Sequence, residues 1–175
     1  MKKHFVIGNF IFLIILTTIL ANTTIFYKTK IDNQEFKVYS FGVENKDIRI
    51  SNGLILISPN KEIVNGGEIL YTGSKYENIQ SYSKTIYINK HGKKDTVLSN
   101  SVSYAGDNNG IEFPDEFSLN NSIGEISSEK LFSKDTLNSI KDNLYFSLDY
   151  LKVNGETGNF TAKLEVNEVS MNQTK

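Results

Sequence analysis

The sequence predicts an all-β fold, a two-sheet antiparallel sandwich that is immunoglobulin-like in the loose sense, preceded by one N-terminal apolar helix. Three observations lead to this prediction. Apolar residues recur at every second position over most of the chain, Gly and Asn interrupt that pattern roughly every 8–14 residues, and the N-terminal segment follows a different rule. A small barrel is the alternative architecture that the same pattern allows.

The N-terminal segment has the features of a membrane-targeting helix. Lys2 and Lys3 precede an apolar run over 5–20, and this order keeps the N-terminus inside while the following chain crosses the membrane. Continued to residue 27, the run would form a helix of roughly 34 Å, enough for a hydrocarbon core of ~30 Å. We therefore expect a single-pass cell-membrane protein, in contact with the membrane through residues 5–27, with its C-terminal domain extracytoplasmic.

Cleavage of the leader is the alternative outcome. Ile19 and Ala21 stand third-last and last before a possible signal-peptidase cut, so removal after Ala21 would give a secreted protein. Residues 1–27 are thus predicted as a signal peptide or membrane anchor, 28–34 as a polar tether and 35–175 as the extracytoplasmic domain. The chain contains no cysteine, so this domain is expected to fold by packing alone and to carry no lipid on a cysteine.

Strands and turns are predicted from alternation and from the residues that break it. Asn52-Gly53 separates two apolar runs, which is a strong hairpin signal because both residues tolerate a positive φ. Further turns are expected at Gly66-Gly67, over 90–94 and over 154–158. The predicted strands cover 36–41, 48–50, 54–57, 68–72, 83–89, 96–98, 101–104, 144–153 and 160–166.

One segment, 127–142, departs from the period of two. The spacing of Leu131, Leu137 and Ile140 predicts a short helix, with Ser133 or Asp135 as its N-cap.

The charge balance argues against nucleic-acid partners. The chain carries 19 basic and 20 acidic residues, and without Lys2 and Lys3 the exported part has a net charge of about −3. Such a surface repels phosphate backbones and anionic lipid headgroups. Lysine far outnumbers arginine, with Arg49 as the single arginine, and Asn and Ile are abundant, which is typical of proteins encoded by AT-rich genomes and indicates a Gram-positive source.

The chain lacks the residues that most catalytic sites need. It has no cysteine, and His91 is the one histidine outside the leader, in a turn with several lysines. No G-x-S-x-G nucleophile elbow is present. We therefore predict that the protein is not an enzyme and uses no cofactor.

One loop resembles a calcium-binding loop in part. Asp107, Asn109 and Glu116 would fall at its third, fifth and twelfth positions, but Ala105 at the first position offers no side-chain oxygen. We accordingly expect no metal.

Four tyrosines are the candidates for a ligand-binding face. Tyr71, Tyr76, Tyr82 and Tyr87 lie close together in the sequence and, on strands, would suit a sugar or a peptide. Half-buried packing is the alternative interpretation of the same residues.

Three short stretches resemble a pattern in small extracytoplasmic proteins of Gram-positive bacteria, lipoprotein-like β-sandwich proteins of uncharacterised function. The stretches are Phe41–Asn45, Leu70–Gly73 and Glu77–Tyr82, within residues 36–90. In that group, an F-x-G-E-S-x-N-W-like strand precedes a Y-x-G strand end and an I-x-S strand start. This chain lacks the tryptophan and the lipid-attachment cysteine. The resemblance implies an exported β-sandwich and assigns no functional residue.

Together these observations predict a non-enzymatic binding or interaction module at the cell envelope, whose partner is a protein or an envelope component. The alternative is an accessory structural subunit that docks onto a membrane complex through its anchor helix, where Gly8 and Asn9 would support helix contact.

Overall fold

The computed structural model describes residues 2–32, 36–104, 110–113 and 122–169. The chain forms two compact units, Met1–Glu35 and Phe36–Lys175. The first unit contains the helix α1, Lys2–Asp32. This helix extends through residues 28–32 of the predicted polar tether at 28–34. Neither Gly nor Pro occurs between residue 8 and Asp32, so the sequence offers no helix breaker at the end of the apolar run.

The second unit is a sandwich of two antiparallel sheets with one short helix. Its elements, in chain order, are β1 (Lys37–Glu44), β2 (Ile48–Ile57), β3 (Glu62–Asn65), β4 (Glu68–Tyr71), β5 (Tyr76–Lys90), β6 (Lys93–Ser103), β7 (Ile111–Phe113), β8 (Glu125–Ser128), α2 (Lys134–Asn143), β9 (Leu144–Lys152), β10 (Thr157–Lys163) and β11 (Glu165–Glu168). Sheet I has the order β11-β1-β2-β3-β8, with β4 also paired to β2. Sheet II has the order β10-β9-β5-β6, with β7 also paired to β5.

The core lies between the two sheets and is built from alternate residues of both. Ile55 of sheet I and Ile86 and Phe146 of sheet II are fully buried and belong to one hydrophobic cluster. Burying side chains of this size contributes about 1.5–3 kcal/mol each. The predicted period of two therefore identifies the inward-facing residues, and the fold class predicted from the sequence is the observed one.

Asn52-Gly53 does not form the predicted hairpin turn. It lies inside the continuous strand β2, where Asn52 has a φ of 60° and the register with β1 shifts by one residue. Beyond this bulge β2 changes partner, pairing with β3 through Leu54–Ile57 and with β4 through Ile48–Ser51. A β-bulge and a hairpin turn both need residues with a left-handed backbone, and Asn-Gly suits either. The dipeptide alone therefore does not show whether a bulge or a turn will form.

The predicted turn over 90–94 is confirmed. His91 and Gly92 have φ values of 51° and 81°, and the strands on either side pair from Lys90↔Lys93 onwards. The strands predicted separately over 96–98 and 101–104 form the single strand β6.

The C-terminal hairpin is also confirmed, although its second strand begins and ends three residues earlier than predicted, at Thr157 and Lys163. β9 and β10 pair from Thr157↔Leu151 to Lys163↔Tyr145. After Leu164 the chain leaves sheet II, and β11 pairs with β1 in sheet I. Ala162, Leu164 and Val166 face the core on both sides of this crossing, so the alternation continues through it. Periodicity therefore could not reveal where the chain changes sheets.

The helix predicted within 127–142 forms α2, and Ser133 is its N-cap. The Ser133 Oγ accepts a hydrogen bond from the Thr136 backbone N–H at 3.2 Å. Just before the cap, the buried carboxylate of Glu62 accepts the backbone N–H of Phe132 at 2.7 Å and also that of Leu131. These bonds fix the start of α2 against β3 and satisfy donors that would otherwise be left without an acceptor.

Candidate functional site

The outward side of sheet II carries a regular array of small polar side chains. The strand register aligns β6, β5, β9 and β10 so that their outward residues form three rows of four. Except for Leu151, Asp149 and Asn159, every position is Ser or Thr. We call this array the hydroxyl face; its rows are Ser103–Ser81–Leu151–Thr157, Ser101–Ser83–Asp149–Asn159 and Ser99–Thr85–Ser147–Thr161.

Hydrogen bonds link the side chains across the hydroxyl face. The Ser101 Oγ donates to the Ser83 Oγ at 3.0 Å, and the hydroxyls of Thr85 and Ser99 lie 3.1 Å apart. On the other half, the Ser147 hydroxyl donates to Asp149 Oδ2 at 3.1 Å, and the Asn159 side-chain amide donates to Asp149 Oδ1. The face is therefore a pre-organised polar network, with both carboxylate oxygens of Asp149 already accepting hydrogen bonds.

A depression of about 730 Å³ lies over the first two rows. Its lining includes all eight residues of those rows and the backbone neighbours between them, such as Tyr82 and Val102. The short serine side chains project little from the sheet, so the surface is recessed at this point. Among the lining residues that the structure describes, Asp149 carries the one charge. The depression is thus open to solvent, lined by small hydroxyl-bearing side chains beside apolar ones, and carries little charge.

An aromatic pair borders the hydroxyl face beyond its third row. Tyr87 and Tyr145 are cross-strand neighbours, and their rings stack with centroids 5.7 Å apart and an interplanar angle of 19°. Lys94 places its Nζ 4.7 Å from the centre of the Tyr87 ring. Tyr87 is consequently buried on the outward side of the sheet, while Tyr145 remains half-buried.

The four tyrosines proposed as a ligand-binding face do not share one. Tyr71 and Tyr82 are buried in the core cluster, and Tyr76 is half-buried beside it. The centre of the Tyr71 ring lies 5.9 Å from that of Tyr76. Phe113 connects Tyr71 to Tyr82, because its ring contacts both. Tyr87 lies on the opposite side of sheet II. Tyr71 and Tyr82 therefore fit the alternative interpretation, packing, with both rings in the core of the sandwich.

Burial also changes the acidity of this cluster. It raises the pKa of the Tyr71 hydroxyl well above its ordinary value, and the neighbouring Tyr76 raises it further. The Tyr71 hydroxyl donates to the Ser74 carbonyl at 3.1 Å. Burial likewise raises the pKa of Tyr150, whose ring lies 5.2 Å from that of Tyr76. Both phenols therefore stay protonated at neutral pH, which suits a packing role.

The remaining candidates from the sequence show no geometry for a site. His91 lies exposed in the β5–β6 turn. Asp107, Asn109 and Glu116 of the partial calcium loop lie outside the described residues. Within the described ranges, no group of three or more His, Cys, Asp or Glu side chains is placed to hold a metal ion.

The helix α1 is the second functional feature. Its window Phe12–Thr29 has a mean hydropathy of 1.4 over 18 residues, and none of it is buried within the protein. Apolar residues occupy all sides of the helix rather than one stripe. Length and composition of this kind are shared by membrane anchors and signal sequences, and the apolar run continued to residue 27 predicts this helix.

The hydroxyl face was missed at the level of the sequence, although part of its signal was visible. Ser99, Ser101 and Ser103 recur at every second position of one strand, and Ser81, Ser83 and Thr85 do so on another. Taken singly, such runs are typical of any solvent-facing strand. Only the strand order brings the two runs side by side and adds Asp149 and Asn159.

No family model, curated protein or solved structure matches the chain. The resemblance of residues 36–90 to Gram-positive extracytoplasmic proteins stays a prediction.

Proposed function

We propose that the protein is a membrane-anchored, extracytoplasmic, non-enzymatic binding module of the cell envelope. The observation that carries the proposal is the combination, in one chain, of an exposed apolar helix with a sandwich whose sheet II presents an open depression lined by hydroxyl-bearing side chains. The helix supplies attachment, and the hydroxyl face supplies the binding surface.

The chemistry of α1 supports insertion into lipid. Phe12, Leu20 and Phe26 are 64%, 57% and 65% exposed, and each such side chain is worth about 1.5–3 kcal/mol when it leaves water. The threonines that interrupt the apolar run bond back to the helix: Thr18 Oγ1 donates to the Ile14 carbonyl at 2.8 Å, and Thr24 Oγ1 to the Leu20 carbonyl at 2.8 Å. Their hydroxyls therefore need no water inside a bilayer.

The flanking residues support an anchor that is retained and oriented outward. Lys2 and Lys3 precede the apolar run, which favours an N-terminus on the cytoplasmic side. Ile19 is larger than the small residue that a signal-peptidase site carries at the third-last position before the cut. The helix also runs through Ala21 as far as Asp32.

The composition of the depression supports binding rather than turnover. Acid–base hydrolysis of the common kind needs two carboxylates, or a carboxylate with another titratable group. Within the described lining of the depression, Asp149 alone is charged, and each of its oxygens already accepts one hydrogen bond, from Ser147 and from Asn159.

The orientation is tested by cysteine labelling, which the cysteine-free chain makes clean. Ser127, exposed on β8, and His4, before the apolar run, are each replaced by cysteine in separate variants. With a membrane-impermeant maleimide on whole cells, Ser127→Cys should be labelled, and His4→Cys only after lysis. Protection of both positions, or the reverse pattern, would contradict the proposal. An intact chain of 19.8 kDa in the membrane fraction is expected; a shorter chain in the medium would show a cleaved leader.

Docking through the anchor helix is tested separately, because it concerns Gly8 and Asn9, whose side chains lie outside those that the structure describes. Residues 1–32 are replaced by an unrelated single-pass anchor. A binding module should keep its function after this exchange, whereas a subunit that docks through α1 should lose it.

A further inference from the structure

We infer that the depression on the hydroxyl face binds a neutral, polyhydroxylated chain, that is, a glycan. This inference rests on the proposed function and adds the chemical class of the ligand.

The size of the hydroxyl face favours a small ligand over a protein. Four strands at a spacing of about 4.8 Å and three rows spaced two residues apart span roughly 14 by 13 Å, on the order of 200 Å². A stable protein–protein interface needs about 800 Å² from each partner, so neither a second copy nor another protein is held by this face alone. The depression of about 730 Å³ falls in the range of roughly 300–1,000 Å³ that small-molecule sites occupy.

The charge of the depression selects among small ligands. It has no Lys, Arg or His among the lining residues that the structure describes, so a phosphate or carboxylate ligand would find no counter-charge there. A cation would meet only Asp149, whose oxygens already accept hydrogen bonds from Ser147 and Asn159. The remaining class is an uncharged ligand.

The side chains of the depression match a ligand that is rich in hydroxyl groups. Serine and threonine hydroxyls each donate one hydrogen bond and accept two, which is the same capacity as a sugar hydroxyl. Ser83 and Ser101 lie side by side in the middle row of the face, on β5 and the edge strand β6, and Asn159 adds an amide on the opposite edge strand β10. The hydrogen bonds among these residues hold their oxygens in fixed positions before the ligand arrives.

Apolar side chains at two borders of the hydroxyl face could contact the C–H faces of sugar rings. Leu151 is half-buried in the first row, and Tyr145 is half-buried next to the third row. Rings that carry both C–H and O–H groups bind best where an apolar contact adjoins a polar one. The shallow depression limits the affinity for one short oligosaccharide, and repeated units acting on many anchored copies would raise it by avidity.

The test measures retention of the full-length chain on insoluble polysaccharides. The protein is kept in a polyoxyethylene detergent, because a detergent with a sugar headgroup would compete. Chitin, cellulose and starch are the probes. Two variants block the depression, Ser83→Arg and Ser101→Arg, and Ser127→Arg is the matched control on the exposed strand β8 of sheet I. All four proteins should show the same thermal transition.

The expected result is retention on at least one polysaccharide, reduced at least tenfold by Ser83→Arg and by Ser101→Arg and unchanged by Ser127→Arg. Absence of retention on all three, or equal retention of the blocked variants, would overturn the assignment of a glycan. Photo-crosslinking in cells from position 83 separates the two proposals: recovery of a protein would refute the glycan and leave the binding module standing. The labelling of Ser127→Cys decides the membrane placement independently.

Discussion

Lys84 lies on the core side of β5, where its side chain is fully buried in the sandwich. Its Nζ donates to the Ser122 carbonyl and lies 6.0 Å from the centre of the Tyr82 ring. Burial lowers the pKa of Lys84 from 10.5 to about 8, because the charged form loses its hydration. In the sequence, Lys84 was indistinguishable from a solvent-facing lysine, since a single charge within an alternating strand normally marks the outer face.

The lowered pKa predicts a specific dependence of stability on pH. Between pH 8 and 10.5 the unfolded chain keeps the Lys84 proton while the folded chain releases it, so the free energy of unfolding rises with pH in this window. The gain amounts to at most about 3 kcal/mol. Lys84→Met should lack this rise. Chemical denaturation of the full chain in detergent, followed by tyrosine circular dichroism at several pH values, measures it.

The control for Lys84 is Lys61→Met, which removes an exposed lysine next to β3. It should keep the same pH slope as the parent chain, because other groups that titrate in this window are common to all three proteins. An equal slope for Lys84→Met and the parent would show that Lys84 does not release its proton on folding.

At the scale of the element, the bulge in β2 decides how sheet I is arranged. Asn52 bends the strand, and the Gly66-Gly67 corner between β3 and β4 packs into the bend. A Cβ on Gly67 would come within 2.2 Å of the Ser51 carbonyl oxygen, and the φ of Gly67 is 75°. This glycine therefore meets two requirements, a left-handed backbone and the close approach of another strand.

Gly67→Ala should therefore destabilise the sandwich strongly. Gly92→Ala is the matched control, since Gly92 has a φ of 81° but nothing within 4 Å of its Cβ position. We expect a loss of about 1–2 kcal/mol for Gly92→Ala from backbone strain. For Gly67→Ala we expect about 1–3 kcal/mol more from the contact. Denaturant titration measures both; equal losses would mean that the corner relaxes.

The elements also show what a single sequence can and cannot predict. The β9–β10 hairpin, the turn at His91 and the cap at Ser133 were predictable because local residues determine each one. The bulge at Asn52 and the change of sheet after Leu164 were not, because each depends on which strand lies alongside. The hydroxyl face belongs to the second class: its residues are ordinary within each strand and become a site only through the order β10-β9-β5-β6.

At the scale of the molecule, the sandwich is closed by the pairing of its first and last strands. β11 pairs with β1 from Tyr39↔Glu168 to Gly42↔Glu165, and the Val169 N–H donates to the Val38 carbonyl at 2.8 Å. Lys141 of α2 reaches Glu168 at 2.5 Å. Leu164, buried between the sheets, precedes this strand.

Removal of residues 164–175 should abolish cooperative unfolding or lower the midpoint sharply. The truncation takes away the strand partner of β1 and the buried Leu164, and loss of one buried leucine alone costs about 2–5 kcal/mol. Removal of residues 170–175 is the control, because it leaves every described contact of β11 in place. Thermal melting of both truncated chains measures the effect, and a normal transition without β11 would contradict the role given to it.

The pairing of β1 with β11 also imposes a delay on folding, because β1 is synthesised long before its partner strand. About 130 residues separate Tyr39 from its partner Glu168, and at roughly 5–20 residues per second a ribosome needs on the order of 6–26 seconds to make them. Throughout that interval the outer edge of β1 offers unpaired N–H and C=O groups to any neighbouring strand. Until its final residues have been made, the nascent chain can therefore pair through β1 with other copies of itself. We expect it to aggregate most at high expression levels, where the concentration of nascent chains is highest.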